Sequence, residues 1–125
     1  MYKRQPYEDL PEAYRGAACA LGIFGTGEKA ARVIPNKVFQ ALACARPVIT
    51  GDTPAARELL SDDADALLVP PGDAQALAGA LRRVAGDPAL AERLGEAGRE
   101  TYEARASEAV LGERWRSLLE RVVRR

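Results

Sequence analysis

The sequence contains no histidine and only two cysteines among its 125 residues, and its 18 basic side chains are balanced by 18 acidic ones. Without histidine the usual general base near neutral pH and the commonest metal ligand are both missing. Acid–base chemistry would therefore fall to carboxylates, lysine, tyrosine or the substrate. The balanced charge leaves no net field that would attract nucleic acid or a membrane, so we expect no nucleic-acid partner.

The two cysteines, Cys19 and Cys44, each lie in an apolar run. Free cysteine is among the most often buried residues, so two buried thiols are favoured and a disulfide is the alternative. Two cysteines offer no recognised spacing of metal ligands. We expect neither a metal nor a cofactor.

Long apolar runs are also missing. No segment approaches the length of a membrane span, and the N-terminus, MYKRQP, lacks the apolar core of a signal peptide. The expected location is cytoplasmic. The length predicts one domain over residues 1–125 with enough apolar residues for a core, and no repeat or low-complexity linker divides it.

Short apolar runs alternate with helical patterns along the first part of the chain. The runs predict buried strands at 19–24, 46–50 and 65–69. Helices are predicted at 9–18, 35–43 and 53–60, then from 73, from 87 and at 107–124, and a loop at 25–34. This order predicts an α/β fold with a parallel sheet, right-handed crossovers and a helical C-terminus. Three strands are few for a doubly wound domain, so the chain is predicted to be the second half of a Rossmann-like domain.

One junction between strand and helix has the features of an anion site. Gly25 and Thr26 follow the first predicted strand, and Pro35 is predicted at the first position of the next helix. A helix N-terminus presents unpaired N–H groups and a partial positive charge. Lys29 and Lys37, together with Arg32, add full charges there. The predicted ligand is a phosphate or diphosphate.

From Tyr7 to about Thr101 the order of motifs resembles the end of the donor-binding C-terminal domain of family 4 (group 1) glycosyltransferases, which have two Rossmann domains. The matching motifs are PNKVFQALA at 35–43, RPVI at 46–49, RELL at 57–60, LLVPPGD at 67–73 and ALAGA at 76–80. Each motif is weak alone, and their order over about three-quarters of the chain makes the resemblance specific.

The resemblance implies retaining transfer of a sugar from a nucleotide diphosphate sugar to an acceptor, without a metal. In this family the loop after the apolar strand contacts the sugar and diphosphate through backbone N–H groups, a role that would fall to Gly25 and Thr26. The helix start at Pro35, Asn36 and Lys37 would face the diphosphate and stabilise the departing group. For Asn36 a role in supporting the helix start is the favoured alternative.

Several positions near this helix are open to more than one interpretation. Lys29 and Arg32 either contact the donor phosphates or are solvated charges that pair with Glu28. Lys37 likewise either contacts the phosphates or is a solvated charge. Gln40 stands where the family has a glutamate that holds the nucleotide ribose. Its carbonyl can still accept a hydroxyl hydrogen bond, without charge assistance. Arg32 also occupies the slot of a second family glutamate eight positions earlier.

The resemblance also implies that parts are missing. The acceptor-binding N-terminal domain and the Gly-rich loop of the donor domain have no counterpart here, so this chain alone is not expected to be an active enzyme. The alternative is a non-catalytic fragment, structural or nucleotide-sugar-binding, that complements the missing domain, another chain or a second copy. A response-regulator type of phosphate-binding protein is disfavoured, because it needs acidic residues clustered at the strand ends.

The last predicted helix and two acidic residues complete the candidate features. The helix has an apolar stripe, interpreted as core or domain-interface packing, and a basic flank that suggests peripheral contact with an anionic membrane. The stripe is Leu111, Trp115, Leu118, Leu119 and Val122, and the flank is Arg114, Arg116, Arg121, Arg124 and Arg125. Asp52 is interpreted as a turn or cap residue and Glu58 as an exposed helix carboxylate.

Overall fold

A computed structural model describes residues 19–123 of the chain. The predicted helix at 9–18, the N-terminal segment and the last two arginines lie outside the described residues. The described strands are β1 (Ala20–Leu21), β2 (Val48–Gly51) and β3 (Leu67–Val69). The helices are α1 (Glu28–Ala31), α2 (Asn36–Ala43), α3 (Pro54–Leu59), α4 (Ala74–Gly86), α5 (Pro88–Arg105) and α6 (Glu108–Val123).

The three strands form a parallel sheet in the order β1-β2-β3. Ala20 pairs with Val48, and Ile49 pairs with Leu67. All four residues of the central strand β2 are buried, which explains why it reads as a continuous apolar run. The predicted α/β fold with an open parallel sheet and a helical C-terminus is confirmed.

Helices cover both faces of this sheet, because neighbouring residues of a strand point to opposite sides. On one face Val48 and Leu68 pack against α2, α3 and the end of α5. On the other face Ile49, Leu67 and Val69 pack against α4 and the start of α5. The helix residues of the first cluster are Val38, Ala41, Leu42, Ala56 and Leu59, and Ala106, which follows α5, also belongs to it. Those of the second are Ala80, Val84, Leu90 and Leu94.

Three of the described helices begin directly after a residue whose side chain caps them. Thr53 Oγ1 accepts a hydrogen bond from the N–H of Ala56 at 3.1 Å, which closes the first turn of α3. Asp73 and Asp87 cap α4 and α5 in the same way. An oxygen acceptor at this position satisfies one of the N–H groups that a helix start leaves unpaired.

The prediction for Pro35 is wrong by one position. Pro35 is the N-cap of α2, with an extended backbone (φ −67°, ψ 151°), and the helix begins at Asn36. The carbonyl of Pro35 accepts the N–H of Val38 at 3.0 Å. The φ angle that proline imposes suits either position, and the extended ψ angle, which the sequence does not reveal, makes it the cap.

The first strand is shorter than predicted, and the loop after it contains a helical turn. Regular pairing ends at Leu21. The backbone stays close to β2 beyond it, where the N–H of Ile23 donates to Thr50 Oγ1 at 3.2 Å and its carbonyl accepts the N–H of Gly51 at 2.9 Å. Within the predicted loop at 25–34, α1 forms a single turn. The N–H of Ala31 donates to the carbonyl of Gly27 at 3.2 Å.

Both cysteines remain thiols, and each is half-buried rather than buried as predicted. Cys19 precedes β1, which has a paired neighbour on one side only within residues 19–123, and Cys44 ends α2. Burial raises the pKa of the Cys19 thiol. These positions at an edge and a helix end leave part of each side chain uncovered.

The apolar stripe of α6 is exposed. Trp115 is 65% exposed and Val122 is 64% exposed, because α6 packs chiefly against α5 among the described elements. Core packing is therefore the wrong interpretation of this stripe for the part of the chain that the structure describes. None of the described helices combines the length and apolar character needed to cross a membrane.

Candidate functional site

The candidate site lies at the carboxyl ends of the three strands. The N–H of Asp52, just after β2, donates to the carbonyl of Val69 at 2.7 Å. The N–H of Gly51 donates to the carbonyl of Ile23 at 2.9 Å on the other side. The loops that follow β1, β2 and β3 therefore meet at one edge. Open parallel sheets bind their ligands at this edge.

Gly25 and Thr26 lie on the exposed rim of this edge. The turn after β3 supports them, because the N–H of Gly72 donates to the carbonyl of Phe24 at 3.0 Å. Gly72 has a φ angle of +76°, in the left-handed region that favours glycine. Gly25 and Thr26 are therefore exposed, and a hydrogen bond from the turn after β3 holds the residue that precedes them.

The predicted helix residues share the outward side of α2. Val38 and Leu42 are buried on the inward side, whereas Asn36 and Lys37 are exposed and Gln40 is half-buried. Residues three and four apart lie on one face of a helix, so Gln40 follows Asn36 and Lys37 along the outward face. The helix start and the ribose position suggested by the resemblance are therefore contiguous on one surface.

Lys29 and Arg32 lie in or beside α1 and differ in their partners. Arg32 Nη2 forms an ion pair with Glu28 Oε1 at 2.8 Å, and the two side chains are 72% and 84% exposed. A pair in such an exposed place is weak and easily exchanged. Lys29 and Lys37 have no ion pair among the residues that the structure describes, so both ammonium groups are open to an anion.

Glycines allow the first strand and its loop to lie close to β2. A Cβ atom at Gly22 would collide with the Thr50 hydroxyl, and one at Gly51 would lie 2.6 Å from the carbonyl oxygen of Ile23. The sequence analysis missed Gly22, Thr50 and Gly51 as parts of this edge. The available signal was a glycine inside a strand pattern, which often marks a close approach of two backbones.

Asp52 is the acidic residue nearest to the end of β2, and Arg57 holds it. Arg57 Nη2 donates to Asp52 Oδ2 at 2.8 Å, and Arg57 Nε donates to Oδ1. The Arg57 hydrogen bond lowers the pKa of Asp52, so it is a weak base at neutral pH. The cap of α3 is Thr53, so Asp52 is an ion-paired residue and the prediction of a cap is wrong.

The edge is an open surface rather than a closed pocket. Beneath the loop after β1 lies a cavity of about 10 Å³, lined by Ile23, Ile34, Thr50, Thr53 and Leu60 among others, which has room for roughly one water. No cluster of three side chains suited to a metal occurs in residues 19–123.

A wider groove of about 570 Å³ lies between the end of α4 and the start of α5, lined by Arg82, Arg83, Asp87 and Arg93 among others. It is at the amino end of the sheet, away from the candidate site. Arg83 and Arg93 both bind Asp63 there, at 3.2 and 3.4 Å. Both guanidinium groups are therefore already bound to a carboxylate of the same chain, so we do not favour the groove as an anion site.

The chain is similar to a known protein family and to known proteins over most of its length. The model of the family described as "Glycosyl transferase-like" matches residues 2–120. The lipopolysaccharide core biosynthesis glycosyltransferase LpsD of Rhizobium meliloti (strain 1021) is 35% identical over 88 residues, which is 70% of this chain and 26% of LpsD. The chain therefore spans about a quarter of the length of this curated relative.

Solved structures show the same fold. Sucrose-phosphate synthase of Thermosynechococcus elongatus is 38% identical over 66% of this chain and 22% of that chain (TM-score 0.57). The C-terminal domain of the group 1 glycosyl transferase LpcC of Francisella tularensis is 19% identical over 86% and 53% (TM-score 0.67). TarM of S. aureus, crystallised in a complex that includes UDP, is 16% identical over 88% and 22% (TM-score 0.69).

At these identities LpcC and TarM show the fold alone. The match of the family model across nearly the whole chain shows the family. This chain belongs to the glycosyl transferase-like family, as a partial group 1 glycosyltransferase domain, and the resemblance of its motifs is confirmed.

Proposed function

We propose that this chain supplies part of the site for a nucleotide diphosphate sugar in a retaining glycosyltransferase. The observation that carries the proposal is the position of two ammonium groups, Lys29 and Lys37, that have no ion pair with any of residues 19–123. They flank the start of α2 and the glycine-bearing edge of the sheet. Each feature alone is common. Together they favour an elongated anion with more than one phosphate.

The helix start contributes through its backbone. Asn36 and Lys37 are the first two residues of α2, where N–H groups have no partner within the helix. The partial positive charge of the helix adds to the full charge of Lys37. A diphosphate oxygen placed before Asn36 would meet both. This role needs Lys37 near the surface, and the side chain is exposed.

The proposed reaction depends on the negative charge that forms on the departing diphosphate. In the transfer the bond between the anomeric carbon and the diphosphate oxygen breaks, and both electrons remain on that oxygen. The acceptor hydroxyl bonds to the carbon, and its proton passes to the departing diphosphate. Negative charge grows on the leaving group, so cationic groups already in place stabilise the transition state more than the ground state. Lys29, Lys37 and the N–H groups of Gly25 and Thr26 would have this role. The side chain of Gln40 would hold the ribose.

The alternative function is a structural or nucleotide-sugar-binding fragment that complements another chain. It is favoured by the open edge of the sheet, because residues 19–123 form no closed pocket there that would enclose a ligand. The partner would be a glycosyltransferase N-terminal domain or a second copy that covers the outer side of the donor. Binding without turnover is what this alternative expects of the isolated chain.

A titration with nucleotides tests the proposal. We expect amide shifts of the isolated chain with UDP, GDP or ADP to cluster at Gly25 to Thr26 and at Asn36 to Gln40, even at millimolar affinity. Lys37→Gln should weaken binding about tenfold, as expected for one lost hydrogen bond to a charged group. Arg82→Gln is the matched control, since it removes a charge from the opposite end of the sheet. No shifts in a well-dispersed spectrum would count against the proposal.

A further inference from the structure

One hydrogen bond at the candidate site joins the loops that follow two strands, and these strands are not neighbours in the sheet. The sheet order places β2 between β1 and β3, yet the N–H of Gly72, after β3, donates to the carbonyl of Phe24, after β1. The turn at 70–73 therefore crosses the carboxyl end of β2 to reach the loop beyond it. The loop after β1 rests on this turn.

A second contact in the same place constrains the residue type at position 72. A Cβ atom there would lie 2.8 Å from Thr26 Cγ2, closer than real Cβ atoms approach a neighbour. The φ angle of +76° adds backbone strain for other residues. Any side chain at position 72 would therefore push Thr26 outward or move the turn.

We infer that Gly72 is a positioning residue for the donor, acting through the segment from Phe24 to Thr26 without touching the donor itself. The inference rests on the proposed function, since it assumes that the N–H groups of Gly25 and Thr26 face the diphosphate. Backbone donors bind an anion well only when they are held in place before it arrives. The Gly72–Phe24 hydrogen bond and the close fit of Thr26 against Gly72 fix the position of this segment.

Gly72→Ala, with and without Thr26→Ser, tests the inference. The serine lacks the Cγ2 atom that the new methyl would meet and keeps the hydroxyl. We expect Gly72→Ala to shift the amides of residues 24–27 and to weaken UDP binding about tenfold. Adding Thr26→Ser should recover most of the affinity and leave the loss of thermal stability from the strained φ angle. Gly79→Ala, which adds a methyl group to open space on α4, is the matched control.

The outcomes separate this inference from the proposed function. If the unaltered chain shows no binding of UDP, the proposed function fails and the inference fails with it. If the unaltered chain binds UDP and Gly72→Ala binds it equally well, only the inference fails. Loss of affinity without amide shifts at residues 24–27 would also overturn it, because the effect would then not pass through the segment from Phe24 to Thr26. Should Gly72→Ala not fold, Gly72→Asn keeps the added Cβ with less backbone strain.

Discussion

Asp65, at the start of the segment that leads into β3, accepts a hydrogen bond from the hydroxyl of Thr101 on α5, with 2.7 Å between Oδ2 and Oγ1. Its other oxygen, Oδ1, accepts the N–H of Ser61 at 2.7 Å. Asp65 is buried, so both oxygens depend on protein donors. This carboxylate joins the loop between α3 and β3 to a helix 36 residues further along the chain.

Removing the hydroxyl of Thr101 should therefore destabilise the fold. Thr101→Val leaves a buried carboxylate with one donor fewer, and we expect a loss of about 1–3 kcal/mol in the free energy of unfolding. Thr101→Ser keeps the donor and should cost less. Urea unfolding of both variants measures the difference. Equal stability of the two variants would show that the hydrogen bond contributes little.

Two glycine-to-alanine changes in neighbouring helices should have opposite effects. Gly79→Ala in α4 meets no atom within 4 Å and should stabilise by about 0.5–1 kcal/mol, because alanine is the better helix former. Gly95→Ala in α5 puts a Cβ against the carbonyl oxygen of Ala45, which belongs to the turn before β2. We expect it to destabilise, and thermal unfolding of both variants gives the signs. A stabilising Gly95→Ala would contradict this close approach of α5 and the turn.

The Asp52–Arg57 pair should make a small, pH-dependent contribution to the free energy of unfolding. The folded-state pKa of Asp52 is lowered by its hydrogen bond with Arg57, so below the unfolded pKa the unfolded state binds more protons. The contribution is present above about pH 4 and is lost as the pH falls through the lowered pKa. We expect about 0.5 kcal/mol, because both side chains are partly exposed. The stability difference between the unaltered chain and Asp52→Asn should shrink between pH 7 and pH 2.5, and a difference independent of pH would exclude this origin.

Restoring the family glutamate at position 40 should strengthen nucleotide binding. In the proposed site, Gln40→Glu would replace a neutral acceptor for the ribose hydroxyl with a carboxylate, and we expect up to about tenfold tighter binding of UDP. The Ala85→Glu variant adds the same charge on the last turn of α4, far from the site, and serves as control. Equal gains from both variants, or weaker binding by Gln40→Glu, would remove residue 40 from the ribose site.

Several parts of the fold follow from signals within a few residues. Thr53, Asp73 and Asp87 each precede the helix that they cap, and the capping bond spans only three residues. The continuous apolar run of β2 predicts burial on both faces whatever its neighbours are. The family also follows from the sequence, because the order of motifs along the chain can be read without knowing the fold. The outward face shared by Asn36, Lys37 and Gln40 follows from helical spacing alone.

Other parts depend on residues that are distant in the chain. Just after β1 the N–H of Ile23 donates to Thr50 Oγ1, 27 residues away, and no local pattern at 19–24 predicts this contact. The need for glycine at position 72 arises from Thr26, and the burial of Asp65 is tolerable because Thr101 is within reach. Conversely, the stripe on α6 has the spacing of a buried face and is exposed, because spacing selects the side of a helix and only a packed neighbour buries it. Local hydrogen bonds and periodicity depend on a few adjacent residues, so the sequence determines them. Contacts across the sheet join distant residues and form only once the chain has folded.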